Sequence, residues 1–425
     1  MEAPFFAYFY PLKGSHSFPG ADFFVPIELA GRLKNGQQTI TMYKTIILFA
    51  FLLITLPTLA QGQQSTAQQL VEEGVALHDQ GEYEKAMAKY REALTFDPGL
   101  IQAVYEMSLT SLELEDYAGA EKYSKEVIEA DDMKLGPGAY AVMSEALLET
   151  GRAEEAITLL REGLEKYGDE YLLHFNLALN YYKQGDSEKA MIHVKRAINL
   201  DKSYSGAFLL NAYLLNDNGL WVQSILSFQM FLLLEPDSER SKNAFEEMLQ
   251  TMSIKKSEEP VQRSFIQQQM MRNRPAQAIK NDKTPPLTPE DSLDRGLVYK
   301  AITATLDSLQ TTDSLQAADS LQAPDSLQTA DSLQAPDTGT DPFLLFTAVN
   351  RAIMQVLEAE SIGPKEGILW TYYIPFFTHI EQSDYYETYC RYISVSYYPE
   401  SLHWWQENEE AAGNFVRWFE NGDAI

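Results

Sequence analysis

Cysteine is almost absent from this chain: Cys390 is the single thiol among 425 residues, so an internal disulfide framework is excluded. Histidine is nearly as scarce, with six residues. No His-Glu-x-x-His run, cysteine pair, phosphate-cradling glycine loop or serine elbow occurs. No catalytic residue, metal site or cofactor is therefore expected, and the chain does not read as an enzyme. Cys390 shares its region with His379 and His403. It reads as a small core residue or as half of a Cys–His pair lacking a third orienting group. His174 and His193 read as partly exposed helix residues rather than metal ligands. Bases are also short: 33 Lys and Arg stand against 61 Asp and Glu, a net charge of −28. That balance excludes nucleic acid and anionic membrane surfaces as partners, since both are polyanions.

Long apolar runs are missing with one exception. Residues 42–60 open Met-Tyr-Lys44, continue through an apolar stretch, and end Thr58-Leu59-Ala60. A base, a short apolar run and a terminal small residue form the pattern of a secretory signal peptide. The stretch falls short of the roughly 20 apolar residues that span a bilayer. Translation is thus expected to start at Met42, with residues 1–41 a start-site artefact, and cleavage to follow Ala60. An internal anchor helix behind a genuine extension is the other reading. After cleavage no stable membrane span is expected, and 58 acids remain against 29 bases.

What the chain does have is self-similarity. Ala86-Met-Ala-Lys-Tyr-Arg-Glu-Ala93 and Ala190-Met-Ile-His-Val-Lys-Arg-Ala197 share an alanine, a bulky residue four later and a second alanine three beyond. Counting outward, repeats begin near Ala67, Ile101, Pro137, Tyr171 and Ser205, in steps of 34, 36, 34 and 34 residues. A small residue recurs in the first helix of each unit (Gly74, Ser108, Ser144, Ala178, Ala212). Another recurs in the second helix (Ala86, Ala120, Ala156, Ala190, Ser224). Between them the turn holds Gly81, Glu115, Gly151, Gly185 and Gly219. Helices approach closely only where side chains are small, and glycine accepts the left-handed conformation that ends a helix.

This 34-residue pattern resembles the tetratricopeptide repeat family, two antiparallel helices per unit. The resemblance implies an all-α solenoid over residues 67–252. Its repeats lie near 67–100, 101–134, 137–170, 171–204 and 205–238, with a capping helix over 238–252. The second repeat, with Glu115 in the turn and Ser124 where a bulky residue belongs, is expected to pack less tightly. The resemblance also implies that the first helices line a concave surface where ligands sit. By the register above, that lining includes Val71, Val75, Tyr105, Leu109, Phe175, Leu179, Tyr182, Leu209 and Tyr213. It is apolar and aromatic, and lacks the lysines and asparagines with which some relatives grip a terminal carboxylate. The implied partner is a protein or peptide with an apolar segment. The stripe is equally open to internal filling, with Ser264-Phe-Ile-Gln-Gln-Gln-Met-Met271 as the candidate.

Residues 253–286 read as a linker, basic within an acidic chain, solvated or in contact with an acidic surface. Thr288-Pro289-Glu290-Asp291 then suits a helix start, with Leu293, Leu297, Ala301 and Leu306 on one face. From 307 to 338 the chain repeats Asp-Ser-Leu-Gln-x-x, in which successive leucines land about 240° apart on a helix. With no base and two prolines, this insert reads as disordered. Residues 287–306 and 341–425 together read as a small C-terminal helical domain, with helices near 342–359, 366–380, 384–398, 399–409 and 411–421. Its crowded aromatic rings either build a sugar- or peptide-stacking surface or fill a core. Exported tetratricopeptide proteins of Gram-negative bacteria carry a similar module. The sequence therefore points to an exported scaffold in the periplasm or at the envelope. The alternative is an envelope enzyme or glycan-binding protein acting through the aromatic domain. Mass spectrometry of the mature protein should find its N-terminus near Gln61, and a start elsewhere removes the cleavage site inferred here.

Overall fold

The computed structural model describes residues 66–252, 293–319, 341–363 and 365–420. The signal-like segment, the linker at 253–286 and the proline-containing part of the hexapeptide tract lie outside these residues. Among the described residues all regular structure is helical. None of the helices there is long and apolar enough to cross a membrane.

Five helix pairs follow one another: α1 (66–79) with α2 (Tyr83–Phe96), α3 (Ile101–Glu113) with α4 (Tyr117–Glu129), α5 (Gly136–Glu149) with α6 (Ala153–Tyr167), α7 (Tyr171–Gln184) with α8 (Ser187–Leu200), and α9 (Ser205–Asp217) with α10 (Trp221–Leu234). The first member of each pair is called here the A helix and the second the B helix. Helix α11 (Glu239–Thr251) follows, its first turn held by the Ser238 hydroxyl accepting from the Ser241 amide. The small residues sit where helices cross. A methyl group on Gly74 would stand 2.3 Å from the Tyr90 ring, and all five small B-helix residues are fully buried. Ser224 uses the close approach to donate to the Ala212 carbonyl at 2.8 Å.

Every A–B turn places one residue in the left-handed region, four of them glycines and the fifth Glu115 at φ 55°. A side chain there carries a strain that glycine avoids. The extra length before α5 is taken up by Asp131, also left-handed, and by Asp132, whose carboxylate accepts from the Lys134 and Leu135 amides. The second repeat has no buried apolar residue in the large core cluster. Its buried apolar residues fall into small separate clusters, and Ser124 turns back on its own helix to donate to Ala120. From Tyr140 onward one continuous cluster runs to Phe415.

That continuous core changes the domain organisation expected from sequence. The C-terminal helices are α12 (Arg295–Asp319), α13 (Pro342–Glu360), α14 (Ile374–Gln382), α15 (Tyr386–Tyr392), α16 (Pro399–Glu407) and α17 (Glu409–Glu420). Rather than forming a separate domain, they share one compact unit with the repeats. Helix α12 also runs beyond Leu306 to Asp319. The early hexapeptides hold no proline, so the insert expected from 307 begins as helix. The expected Leu293 is buried beside Val298 and Ile302 and Leu306 packs against the same core, whereas Leu297 is 40% exposed. Valine and isoleucine offer the same i, i+4 spacing one residue later. A π-helical turn, Leu369–Tyr373, leads into α14, where Pro375 lacks the N–H that a regular turn would use.

The reason for docking lies in α10. The outward row of the B helices is polar or small in repeats one to three: Glu84, Ala88, Arg91 and Glu92 in α2, Glu154, Thr158, Arg161 and Glu162 in α6. In α10 the same row reads Val222, Leu226, Gln229, Met230 and Leu233, all buried. The C-terminal helices cover it. Tyr389 donates to the Gln229 carbonyl oxygen at 2.7 Å, and the Gln229 amide donates to Asn350 at 2.9 Å. Phe245 of α11 meets Phe346, Tyr397 and Tyr398 at ring separations of 5.0, 5.1 and 5.5 Å. Helix α11 is therefore packed beneath further helices and is not the terminal cap of the solenoid. Gln229→Leu should lower the unfolding free energy by about 2–4 kcal/mol in urea titration, because it strands both the Tyr389 hydroxyl and the Asn350 carbonyl in the core.

Candidate functional site

Adjacent A helices lie side by side and are joined by contacts one repeat apart. Gln68 donates to Gln102 at 3.3 Å, and the Tyr182 hydroxyl donates to Asp217 at 2.7 Å. Lys183 pairs with Glu149, both nearly fully buried. The nine residues expected to line this face divide into two groups. Val71, Tyr182, Leu209 and Tyr213 are buried between helices; Tyr213, for instance, packs edge-on against Phe228 at 5.5 Å. Val75, Tyr105, Leu109, Phe175 and Leu179 keep solvent contact. Phe175 and Tyr171 each meet the Tyr204 ring, at 5.0 and 5.2 Å.

The face is not the purely apolar lining expected from sequence. Glu145 occupies in the third repeat the position of Val75, Leu109, Leu179 and Tyr213 in the others. Carrying the register through that repeat would have found it. Its carboxyl is pushed up to about 7, first by burial and then by the Glu149 charge, with Lys183 opposing. Glu106 is likewise pushed up to about 7, by burial and then by Asp79. Both carboxylates are enclosed by surrounding atoms yet keep some contact with water. Among the described residues neither has a hydrogen-bond donor or ion-pair partner within bonding distance. The cation acting on Glu145, among the described residues, is Lys183, and Glu149 engages it.

The residues considered for chemistry do not assemble. Cys390 is fully buried, and burial pushes its thiol up to about 12. Its polar neighbours are Tyr386 and Asn350, while His379 stacks on Trp418 at 5.7 Å. His174 is buried rather than partly exposed, its Nδ1 2.9 Å from His193 Nδ1 and its Nε2 3.2 Å from Asp169. No group of His, Cys, Asp and Glu is placed to hold a metal ion among the described residues. Part of the C-terminal ring set fills a core: Tyr373, Phe377, Tyr389 and Phe415 are all within 2% of complete burial, while Trp404, Trp405, Trp418 and Phe419 pack at its edge with solvent contact.

Together the paired helices, left-handed turns and small-residue crossings define a helical repeat solenoid. Residues 70–99 and 141–207 match family models described as tetratricopeptide repeat, and the chain carries repeats of that kind. Among solved structures, one similar protein is a thermophilic tetratricopeptide-repeat protein of Thermus thermophilus. It is 22% identical, with a TM-score of 0.40 over 44% of this chain and 99% of that one. Pseudomonas aeruginosa pilF is 18% identical, with a TM-score of 0.36 over 45% and 86%. YrrB, described as having an unusual peptide-binding site, is 16% identical, with a TM-score of 0.29 over 42% and 89%. No curated protein sequence matches this chain.

The two raised carboxyls set a pH dependence. Each keeps its proton in the folded state up to about pH 7, whereas the unfolded chain releases it near 4.5. Stability from these groups is therefore present below about pH 4.5 and lost as pH rises to 7. Glu145→Gln should gain about 1–2 kcal/mol over the parent at pH 8, allowing for the solvent contact it keeps. The gain should vanish by pH 4 in parallel urea titrations.

Proposed function

We infer that this chain is an exported scaffold that holds a protein partner on the A-helix face of its repeats, at the envelope of a Gram-negative bacterium. The observation that carries the reading is the division of the two faces. The described contacts of the C-terminal helices fall on α10, on α11, on Phe208 and Asn211 of α9 and on the loop residue Lys202. Tyr105, Leu109, Phe175 and Leu179 keep solvent contact on the other side. A row of half-exposed apolar and aromatic side chains on stacked helices suits an apolar partner segment. The export part rests on residues 42–60 and their signal-like pattern. The alternative, an enzyme or glycan-binding activity in the aromatic region, keeps a narrower surface: Tyr373, Phe377, Tyr389 and Phe415 are packed inside, while Trp404, Trp405 and Trp418 retain solvent contact.

Since repeats and C-terminal helices share a core, the test uses the whole chain. A photo-crosslinking phenylalanine analogue is placed at Phe175 or Leu179, and in separate variants at Arg91 or Glu126 on the outward row. Irradiation in the producing cells should yield a defined adduct from the A-helix positions alone. Adducts from the outward positions, with none from Phe175 or Leu179, sink the A-helix reading.

A further inference from the structure

Charge is segregated between the two sets of helices. The five A helices hold eight carboxylates and one base, Lys183, whereas the five B helices hold ten acids and ten bases. The outward side thus neutralises itself through pairs such as Arg152 with Glu121 and Glu155. The A-helix side does so only in part, through Glu73 with Lys89 of α2 and Glu149 with Lys183. Its one lysine is engaged by Glu149, and among the described residues Glu106 and Glu145 stand with half-exposed apolar side chains and no cation paired to them. Isolated carboxylates in a desolvated setting favour an arriving cation far more than solvated ones do.

We propose that the A-helix face takes a partner segment in which a lysine or arginine stands between apolar side chains, the cation seating against Glu145 and the apolar residues against Leu109, Phe175 and Leu179. This rests on the docking reading above and adds the chemistry of the occupant. It also reverses the family's carboxylate grip: here the scaffold supplies the anion. Seating a cation beside Glu145 favours its ionised form, so binding expels a proton near neutral pH. Affinity then rises with pH between 6 and 8, while the lysine or arginine of the segment stays charged throughout.

The test uses the full mature chain and three fluorescent twelve-residue peptides with the same leucines. Their remaining positions are all lysine, all glutamine or all glutamate. Fluorescence anisotropy in 150 mM salt separates seated charge from general attraction to an acidic protein. The lysine peptide is expected to bind about tenfold more tightly than the glutamine peptide, and the glutamate peptide not at all. Glu145→Gln should remove most of that tenfold advantage and leave the glutamine peptide unaffected. Glu165→Gln, which deletes the same charge from the exposed side of α6, should change nothing. Calorimetry in buffers of different ionisation enthalpy should register proton release for the lysine peptide with the parent chain and none with Glu145→Gln. Equal binding of lysine and glutamine peptides, or equal losses from the two variants, overturns the cationic occupant while leaving a docking face. Failure of all three peptides removes the docking face itself.

Discussion

Gln229 stands at the contact on which the whole C-terminal half depends. It accepts from Tyr389 and donates to Asn350, with all three side chains sealed from water. A glutamine in a dry interface tolerates only the neighbours that complete its hydrogen bonds, so it selects one seating of α13 and α15 against α10. Around it, Val222, Leu226, Met230 and Leu233 supply the apolar area that holds the seat closed. A solenoid normally ends on a polar outer face. Here the fifth repeat has an apolar one, and the helices that follow become part of the same body.

This closure fixes which side of the repeats stays free. Several aromatic rings of the C-terminal helices are drawn inward against Phe245 and Phe208, while Tyr105, Leu109, Phe175 and Leu179 of the A helices keep solvent contact. That surface combines half-exposed apolar residues with carboxylates that the outward row would have neutralised. Burial raises the cost of ionising Glu106 and Glu145. The architecture and the electrostatics therefore point to the same set of helices.

Much of this was legible beforehand. The repeat period, the small residues at Gly74 and Ala178, and the glycine turns follow from backbone sterics alone, and sterics are local. Glu115 as the departing turn residue was legible for the same reason. The positions of Leu209 and Tyr213 were right in register, but their burial depends on neighbours that periodicity does not describe. Glu145 was hidden by attention to apolar residues, although its register matches Leu109. The docking of the C-terminal helices had one visible signal, the uncharged helix Trp221–Leu234, apolar on every side. Which segment would cover it depended on partners more than a hundred residues away, and no local rule reaches that far. The inward face beside α12 was legible at Leu293 and Leu306 but not at Leu297, whose place Val298 and Ile302 take.

The strained turn at Glu115 and the fragmented packing around it give the solenoid a direction. In a stack where each unit is held only by its neighbours, loss of structure spreads from the weakest junction. The first two repeats lie on the far side of that junction from the large shared core. Their buried apolar residues belong to clusters separate from the one that runs from Tyr140 to Phe415, so loss of their structure would leave that core in place. A partner seated across Tyr105 and Phe175 would bridge the junction, and its binding would be felt as stiffening of the N-terminal repeats.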